Sequence, residues 1–389
     1  MGSGVGIVGA GIVTALGVGL DQNWSALVNA KSGIETLTGF PADHYITDVA
    51  AAVSERSMNM IYEELGDDSL SRAYSMAIWA GQKALAERSI NPEKISLILS
   101  TAKADFKEFE DTLNSGTQSS ARRFNPGVMA REVADHLNLG GRAFAVSNAC
   151  ASGLIAIIQG ARMLQRGSAE HLLVVGVDVL SDFVLKGFSC LQALSPRPAR
   201  PFDEARDGLS LGEGAGAVLL SSVDAGEASR AMLRGWSATN DAVHITAPSR
   251  EGAGLQSAIS KALAMAGHNP ETIGYINAHG TGTRFNDEME SHAVASVFGD
   301  MEQPFITSMK GNIGHTLGAA GVIETVLSLP VLEENIVPPS VGFETMGVPK
   351  ELNVPREPVP FPAGKNILGM KSGFGGVNAT LIFGSGEPS

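Results

Sequence analysis

The 389-residue sequence has only two cysteines, Cys150 and Cys190. A disulfide framework in a chain of this length would need several pairs, so the scarcity of cysteine argues against one and points to a reducing compartment, here the cytoplasm. The sequence also has neither a CxxC nor an HExxH pattern, and we therefore expect no metal site. Cys190, in the segment GFSCLQALS, is predicted to be a packing residue.

Long apolar runs and positive charge are also scarce. No apolar run reaches the roughly 18 residues that a membrane-spanning helix requires, and no apolar leader precedes a cleavage site, so neither membrane insertion nor secretion is expected. Lysine and arginine number 28 against 41 acidic residues, which gives a net charge of −13. Because nucleic-acid binding demands a basic surface, a nucleic-acid partner is not expected.

Short β-rich segments alternate with helical patterns along the chain, which predicts an α/β fold with mainly parallel strands. The helices predicted at 151–166 and 317–329 carry almost no charge in their central turns, so each should be buried on all sides. A five-layered α-β-α-β-α fold made of two duplicated halves buries two helices in this way. We expect the halves to span 4–225 and 226–386, with a seam near 222–229. The predicted strands cover 5–8, 95–100, 143–147, 171–177, 215–221, 231–238, 274–278, 305–309, 367–371 and 379–383.

Cys150 lies where a predicted strand turns into a helix of small residues, in the segment AFAVSNACASGLIAIIQGARML. In the first turn of a helix, the helix dipole and free backbone N–H groups favour the nucleophilic thiolate. Strand–turn–helix elbows often carry a nucleophile, but a cysteine among small apolar residues can equally be inert packing. The residues alone leave both interpretations open.

Two of the eight histidines lie in unusual surroundings. His279, in NAHGTGT, and His315, in KGNIGHTLGAAG, each follow a short strand-like segment and enter a loop rich in glycine and threonine. Glycine lets a backbone approach a ligand closely, and open α/β sheets place their chemistry in the loops at strand ends. These two histidines are therefore the candidates to act together with Cys150.

Together these segments resemble the elongating β-ketoacyl-acyl-carrier-protein synthases, which are condensing enzymes of the thiolase fold. The resemblance covers nearly the whole chain and rests on NACASG around Cys150, PFDEARDGLSLGEGAGAVLL at 201–220, NAHGTGT at 277–283, KGNIGHTLGAAG at 310–321 and SGFGGVNA at 372–379. It implies decarboxylative Claisen condensation of an enzyme-bound acyl chain with malonyl-carrier. No cofactor is implied, because the acyl carrier protein supplies the phosphopantetheine arm.

By matched position, the resemblance assigns the role of acyl acceptor to Cys150. His279 and His315 are implied to bind the malonyl thioester carbonyl and to stabilise the enolate, while Lys310 orients the pair electrostatically. An alternative for Lys310 and Glu290 is a buried ion pair that only holds the loops. The other implied residues are Glu290, which pairs with His279; Phe374, a gate whose backbone N–H joins that of Cys150 in an oxyanion hole; and the substrate-binding residues Thr281, Thr283, Phe188 and Gly375.

Relatives within the fold differ at the site. Thiolases need a second cysteine in the C-terminal glycine-rich loop, which here reads GFGGVNA, and chain-initiating synthases pair the cysteine with one histidine and one asparagine. The segment ALSPRPARPFDEARDG is shorter than in typical fatty-acid enzymes, and Gln192 stands where many relatives have a basic residue. These departures favour a specialised pathway, such as aryl-polyene or polyketide synthesis. The competing hypothesis is a subunit that has lost turnover and only shapes a partner's pocket.

The resemblance also implies two kinds of protein partner. The first is a second ketosynthase-like chain, identical or cysteine-less, that pairs across a two-fold axis through the strand predicted at 143–147. The second is the acidic carrier protein, which a chain of net charge −13 can attract only through a local basic surface. The candidates for that surface are Arg122, Arg123, Arg197, Arg200 and Arg72; the alternative is that these arginines are solvated or paired internally.

Overall fold

The computed structural model describes residues 4–40, 45–116, 124–223, 228–299 and 301–386. Strands and helices alternate over both halves of the chain. The strands are β1 (Gly4–Thr14), β2 (Gly17–Val18), β3 (Glu35–Thr36), β4 (Val49–Ala50), β5 (Ile95–Ser100), β6 (Ala143–Val146), β7 (His171–Asp178), β8 (Gly214–Val223), β9 (Ala231–Asn240), β10 (Ile273–Asn277), β11 (Phe305–Thr307), β12 (Ile336–Val337), β13 (Val359–Pro360), β14 (Asn366–Gly373) and β15 (Val377–Gly384). The helices are α1 (Leu20–Val28), α2 (Glu55–Leu65), α3 (Arg72–Ala86), α4 (Phe106–Ser115), α5 (Pro126–His136), α6 (Ser152–Gln165), α7 (Asp182–Cys190), α8 (Ala253–Ala266), α9 (Arg284–Phe298), α10 (Lys310–Ile313) and α11 (Ala320–Glu334).

The main sheet has eleven strands in the order β11-β10-β14-β15-β9-β1-β8-β7-β5-β6, with β2 paired to β1. Its two halves have the same strand order, since β1-β8-β7-β5-β6 and β9-β15-β14-β10-β11 each run first, fifth, fourth, second and third along their part of the chain. The halves join where β1 pairs with the start of β9, from Val5 to Ile7. This repetition is the duplication that the sequence predicts.

The prediction of mainly parallel strands is wrong. Among the ten strands of the main path, β5–β6, β5–β7, β10–β11 and β10–β14 are parallel, whereas β1–β8, β7–β8, β1–β9, β9–β15 and β14–β15 are antiparallel. The connection decides the direction, because a tight turn reverses the chain and only a longer crossover returns it to the same direction. The turn between β14 and β15 is an example of such a reversal.

The structure has five layers: the two halves of the sheet, helices on the outer face of each half, and a middle layer of helices between the halves. Helices α3 and α5 pack on the first half and α8 on the second, where it also contacts α9. Between the halves lie α6 and α11, which contact each other and strands of both halves. Helix α11 is buried from Ala320 to Val331, as its apolar sequence predicts. Within the described part of the chain, no helix is both long and apolar enough to cross a bilayer.

Cys190 differs from its prediction as a packing residue. It is the last residue of α7 and is exposed, while the buried face of this helix is formed by Val184 and Leu185. The helix is amphipathic, and a residue at its C-terminal end on the opposite face lies at the surface. Cys190 is therefore an accessible thiol, in contrast to the buried Cys150.

Candidate active site

Cys150 lies in the turn between β6 and α6, with 6% of its surface exposed. Helix α6 begins at Ser152, so the cysteine comes just before the first helical turn, not inside it as the sequence predicts. The hydroxyl of Ser152 accepts the backbone N–H of Asn148 at 2.7 Å and donates to the Ala149 carbonyl at 2.6 Å. Ala149 has a φ of 48°, a conformation that a non-glycine residue adopts only in a constrained turn. These contacts hold the thiol in place.

His315 is in direct contact with the thiol. Its Nε2 lies 3.1 Å from the Sγ of Cys150, and its Nδ1 accepts the backbone N–H of Leu317 at 3.2 Å. Because Nδ1 accepts a hydrogen bond, we assign the proton of the neutral ring to Nε2. His315 in this tautomer donates to the sulfur and cannot remove its proton.

His279 completes the group. The imidazole rings of His279 and His315 have centroids 5.2 Å apart and are nearly perpendicular, at 82°. One ring nitrogen of each histidine and the Sγ of Cys150 all lie within 4.8 Å of one another. Residues separated by up to 165 positions along the chain are thus brought to one point. A carbonyl oxygen placed between the rings could receive hydrogen bonds from both.

Glu290 of α9 holds the His279 loop by its backbone. Its carboxylate accepts the N–H of His279 at 2.7 Å and that of Gly280 at 2.6 Å. The expected pairing with His279 is therefore through the peptide, and Lys310 forms its ion pair with a different residue, Glu324. Burial and the neighbouring Asp287 raise the pKa of Glu290 to about 7.

Three charged side chains lie buried next to the histidines. The Nζ of Lys310 is 2.7 Å from Oε1 of Glu324, and the Nζ of Lys371 is 2.9 Å from Oε2 of the same carboxylate. Burial alone would raise the pKa of Glu324, but the two lysines hold it below its ordinary value. Sequence reasoning missed Glu324 and Lys371. The available signal was a single charge in the middle of an apolar helix and another in an apolar strand, because such charges are rarely buried without a partner.

Burial and the lysines together keep both imidazoles neutral. Burial lowers the pKa of His279 and of His315 well below the ordinary value, and the charges of Lys310 and Lys371 lower it further. Burial has the opposite effect on the pKa of the Cys150 thiol, which it raises to about 11. The Lys310 charge and the backbone N–H groups of Phe374 and Cys150 act against that rise. Burial thus outweighs the stabilisation of the thiolate that the elbow was expected to provide.

Phe374 lies in the turn between β14 and β15, beside the thiol. Hydrogen bonds from the backbone N–H groups of Phe374 and Cys150 favour the thiolate, so both groups face the reacting position. The Phe374 ring stacks on that of Phe188, with centroids 5.9 Å apart, and is 38% exposed. Phe374, Phe188 and Cys150 line the same cavity, and the role of Phe374 as a gate stays a prediction.

A cavity of about 570 Å³ connects the thiol with the surface. Cys150, His279 and His315 line its inner part, and the exposed Leu191 and Phe285 line its outer part. Thr281 and Thr283, which are predicted to bind substrate, both line the cavity, and their hydroxyls lie 2.8 Å apart. Phe188 lines it as well, whereas the N–H of Gly375 donates to the Ile245 carbonyl at 2.7 Å, which ties that residue to a neighbouring loop.

Comparison with known proteins identifies the family. The sequence matches the family described as "Beta-ketoacyl synthase, N-terminal domain" over residues 3–225 and "Beta-ketoacyl synthase, C-terminal domain" over 230–344. The chain belongs to the β-ketoacyl synthase family. It is 31% identical over 416 residues to the 3-oxoacyl-[acyl-carrier-protein] synthase 2 of Rhizobium meliloti, with 97% of each chain covered. This ketosynthase is therefore an acyltransferase.

Solved structures of ketosynthases have the same fold. The ishigamide ketosynthase/chain length factor superposes with a TM-score of 0.89 at 28% identity, covering 99% of this chain and 100% of that one. The ketosynthase ApeO in complex with its chain length factor ApeC, from Xenorhabdus doucetiae, gives a TM-score of 0.83 at 28% identity, with 98% of each chain covered. The predicted thiolase-like fold of the ketosynthase is confirmed.

The arginines predicted to bind the carrier lie in different environments. Arg122 and Arg123 fall outside the described residues. Arg197 is exposed and lies 2.6 Å from Asp207, and Arg200 is half-buried. Arg72 is bound internally to Glu213 at 2.6 Å and to Glu55 at 2.9 Å. Because its charge is compensated by two carboxylates, Arg72 offers the ketosynthase little attraction for an acidic partner.

Proposed function

We propose that this ketosynthase extends an acyl chain by decarboxylative condensation with malonyl-carrier, through an acyl intermediate on Cys150. The observation that carries the proposal is one thiol and two neutral imidazoles within 4.8 Å, at the inner end of a cavity open to the surface. A thiol is suited to hold an acyl group, and neutral imidazoles donate hydrogen bonds to an enolate without readily protonating it.

In the first half-reaction, the sulfur of Cys150 attacks the thioester carbonyl of the acyl-carrier. A new carbon–sulfur bond forms, and the bond to the phosphopantetheine sulfur breaks. The thiol proton of Cys150 is transferred, overall, to that leaving thiolate. The backbone N–H groups of Cys150 and Phe374 stabilise the oxyanion of the tetrahedral intermediate.

In the second half-reaction, malonyl-carrier occupies the same cavity. Its carbon–carbon bond breaks, CO₂ leaves, and the electron pair forms an enolate whose oxygen accepts hydrogen bonds from His279 and His315. The enolate carbon attacks the acyl-Cys150 carbonyl, and collapse of the intermediate expels the Cys150 thiolate, which takes up a proton from the solvent to restore the thiol. The product is a 3-oxoacyl thioester on the carrier, two carbons longer than the original acyl chain.

The proposed function also concerns the cofactor, the carrier protein, the boundary between the two halves and the compartment. The enzyme needs no cofactor of its own, because the carrier brings the phosphopantetheine arm, which we place along Thr281 and Thr283. We propose that the carrier docks on Arg122, Arg123, Arg197 and Arg200. We place the boundary between the two halves near residue 225 and the protein in the cytoplasm, which fits two unpaired cysteines.

Mass spectrometry of the intact protein tests the intermediate. After incubation with acyl-carrier, we expect the acyl mass on Cys150, and none on a Cys150→Ala variant, which should also lose condensation. A Cys190→Ser variant is the matched control, because it removes the accessible thiol and should be acylated like the parent. Full activity with an unmodified Cys150 would refute the proposal.

A second candidate is the catalytic subunit of a heterodimer with a cysteine-less partner. Two structures with TM-scores of 0.89 and 0.83 favour it, because both are described with a chain length factor. The isolated chain, supplied with an acyl donor and malonyl-carrier, separates the candidates. Product formed by the isolated chain excludes dependence on a partner, whereas activity only after addition of a chain length factor supports the heterodimer.

A further inference from the structure

Lys371 lies in the buried part of β14 and is attached to the loop that carries His279. Its Nζ donates to Oδ1 of Asn277 at 2.8 Å, to the carbonyl of Ala278 at 3.1 Å and to that of Met370 at 2.8 Å. Asn277 ends β10, and Ala278 immediately precedes His279. A displacement of the ammonium group would therefore shift the histidine as well.

Lys371 also changes the charge of the site. Glu324 is the ion-pair partner of both Lys310 and Lys371, and all three side chains are at most 1% exposed. Among the described residues, neither lysine forms an ion pair with a second carboxylate. With all three groups ionised, two positive charges and one negative charge leave a net charge of +1. A buried charge that its ion-pair partner does not fully compensate acts strongly on its neighbours, since solvent screens it poorly, and Glu290 opposes it where its own carboxyl is ionised.

We propose that Lys371 is a positioning residue of the condensation site, which fixes the His279 peptide and supplies a second buried positive charge beside the histidine pair. This role rests on the proposed function, because a positive potential at the histidines favours the enolate that forms when CO₂ leaves. Lys310 provides the first such charge. Lys371 binds the other carboxylate oxygen of Glu324 and acts on the same two imidazole rings.

The charge of Lys371 is sensitive to pH. Burial lowers the pKa of Lys371 to about 8, although Glu324 acts in the opposite direction. The positive charge is therefore present below about pH 8 and is lost as the pH rises through that value. The rate of decarboxylation should fall over the same interval. The titratable groups around Lys371 are Glu324 on α11, Lys310 on α10, Glu290 on α9, Tyr275 on β10, and the two histidines His279 and His315.

Histidine titration by NMR tests the electrostatic role without any substrate. In a Lys371→Met variant, the pKa of both His279 and His315 should rise, because a positive charge that opposes their protonation is gone. Spectra of His279→Ala and His315→Ala assign the two signals. Lys83→Met removes an exposed cation paired with Glu64 and should leave both titrations unchanged. Unchanged titrations in folded Lys371→Met would overturn the proposal and leave Lys371 with a structural role only.

The pH dependence of CO₂ release tests the role in the reaction. The assay uses malonyl-carrier and Cys150→Gln enzyme, so that ionisation of the thiol cannot contribute. We expect a decline near pH 8, a rate at least tenfold lower at pH 7 after Lys371→Met, and a decline moved to higher pH after Lys371→Arg, which stays charged. The same decline in all three enzymes would contradict the proposal. Absence of CO₂ release even with Lys371 present would instead count against the proposed function, and the histidine titration would then decide the role of Lys371.

Discussion

Gly153 of α6, three residues after Cys150 along the chain, faces Gly321 of α11 in the middle layer. A Cβ on Gly153 would lie 2.6 Å from the Cα of Gly321. No side chain can rotate away to relieve that contact, because both atoms belong to or are fixed by the backbone. The two helices that follow Cys150 and His315 are thus held at a distance that only glycine permits.

A Gly153→Ala substitution should therefore destabilise the protein. We expect a loss of about 1–3 kcal/mol in the free energy of unfolding, as in other overpacked cores, together with a lower kcat. Gly187→Ala in α7 is the control, because a Cβ there meets no atom within 4 Å. It should stabilise the helix by about 0.5–1 kcal/mol. Urea unfolding followed by circular dichroism measures both; equal effects would contradict the packing argument.

The Lys310 charge should control the reactivity of the thiol. It lowers a Cys150 pKa that burial has raised to about 11, so Lys310→Met should raise this pKa further and slow alkylation at pH 8 several-fold. The rate of iodoacetamide labelling, measured in a Cys190→Ser background, reports Cys150 without the exposed thiol. Lys83→Met serves as a control of equal charge at the surface. A labelling rate unchanged by Lys310→Met would refute this prediction.

Glu290 should make the stability of the protein depend on pH. Its pKa of about 7 in the folded state lies above the unfolded value of 4.5, so the folded protein binds more protons between these two values. The contribution of Glu290 to the free energy of unfolding therefore falls as the pH rises from 4.5 to 7. Glu290→Gln removes this contribution. Urea unfolding at several pH values should show a difference between parent and variant that changes over this interval; a constant difference would contradict the raised pKa.

The sequence predicts the ten strands of the main path, one of them incompletely, and misses the two-residue strands β2, β3, β4, β12 and β13. All ten predicted segments are strands, but β1 runs from Gly4 to Thr14, well beyond the predicted 5–8. The glycines in its second part look like a turn, yet a Cβ at Gly9 or Gly11 would lie 2.1 Å from a backbone oxygen of α3. They are needed for the close approach of a helix. Such a requirement depends on tertiary packing and cannot be read from local composition.

The site was predictable where motifs surround the residues. Cys150, His279 and His315 are flanked by unusual glycine-rich segments, and the structure brings all three together. Glu324 and Lys371 lie in an ordinary apolar helix and strand, 47 positions apart, and their importance arises only where α11 meets β14. The pKa of the Cys150 thiol could not be predicted from the sequence either, because it depends on the depth of burial as well as on the local turn.

The edge position of β6 favours a dimer. It ends the path of the main sheet, pairs only with β5 among the described strands, and is partly exposed along its length. An unpaired edge strand is open to association with another chain, and two-fold pairing is the simplest closed arrangement. We expect light scattering at micromolar concentration to give the mass of a dimer. A monomeric mass would contradict the prediction, and a proline at Ala145 should weaken the dimer by removing a backbone donor.

Carrier binding should depend on a small number of arginines, since the chain as a whole repels an acidic partner with its net charge of −13. Reversal of Arg122 and Arg123 to glutamate should raise the KM for acyl-carrier several-fold and flatten its dependence on salt. The reason is that steering between exposed charges extends only over a Debye length of about 8–10 Å, so distant arginines cannot compensate. Alkylation of Cys150 by a small reagent should stay unchanged, which separates docking from chemistry.

Arg72→Gln is the informative comparison. Because the guanidinium of Arg72 is bound to Glu213 and Glu55, this substitution should reduce stability but leave the salt dependence of KM as in the parent. If the doubly reversed variant used the carrier like the parent at low salt, the assignment of this surface would be wrong.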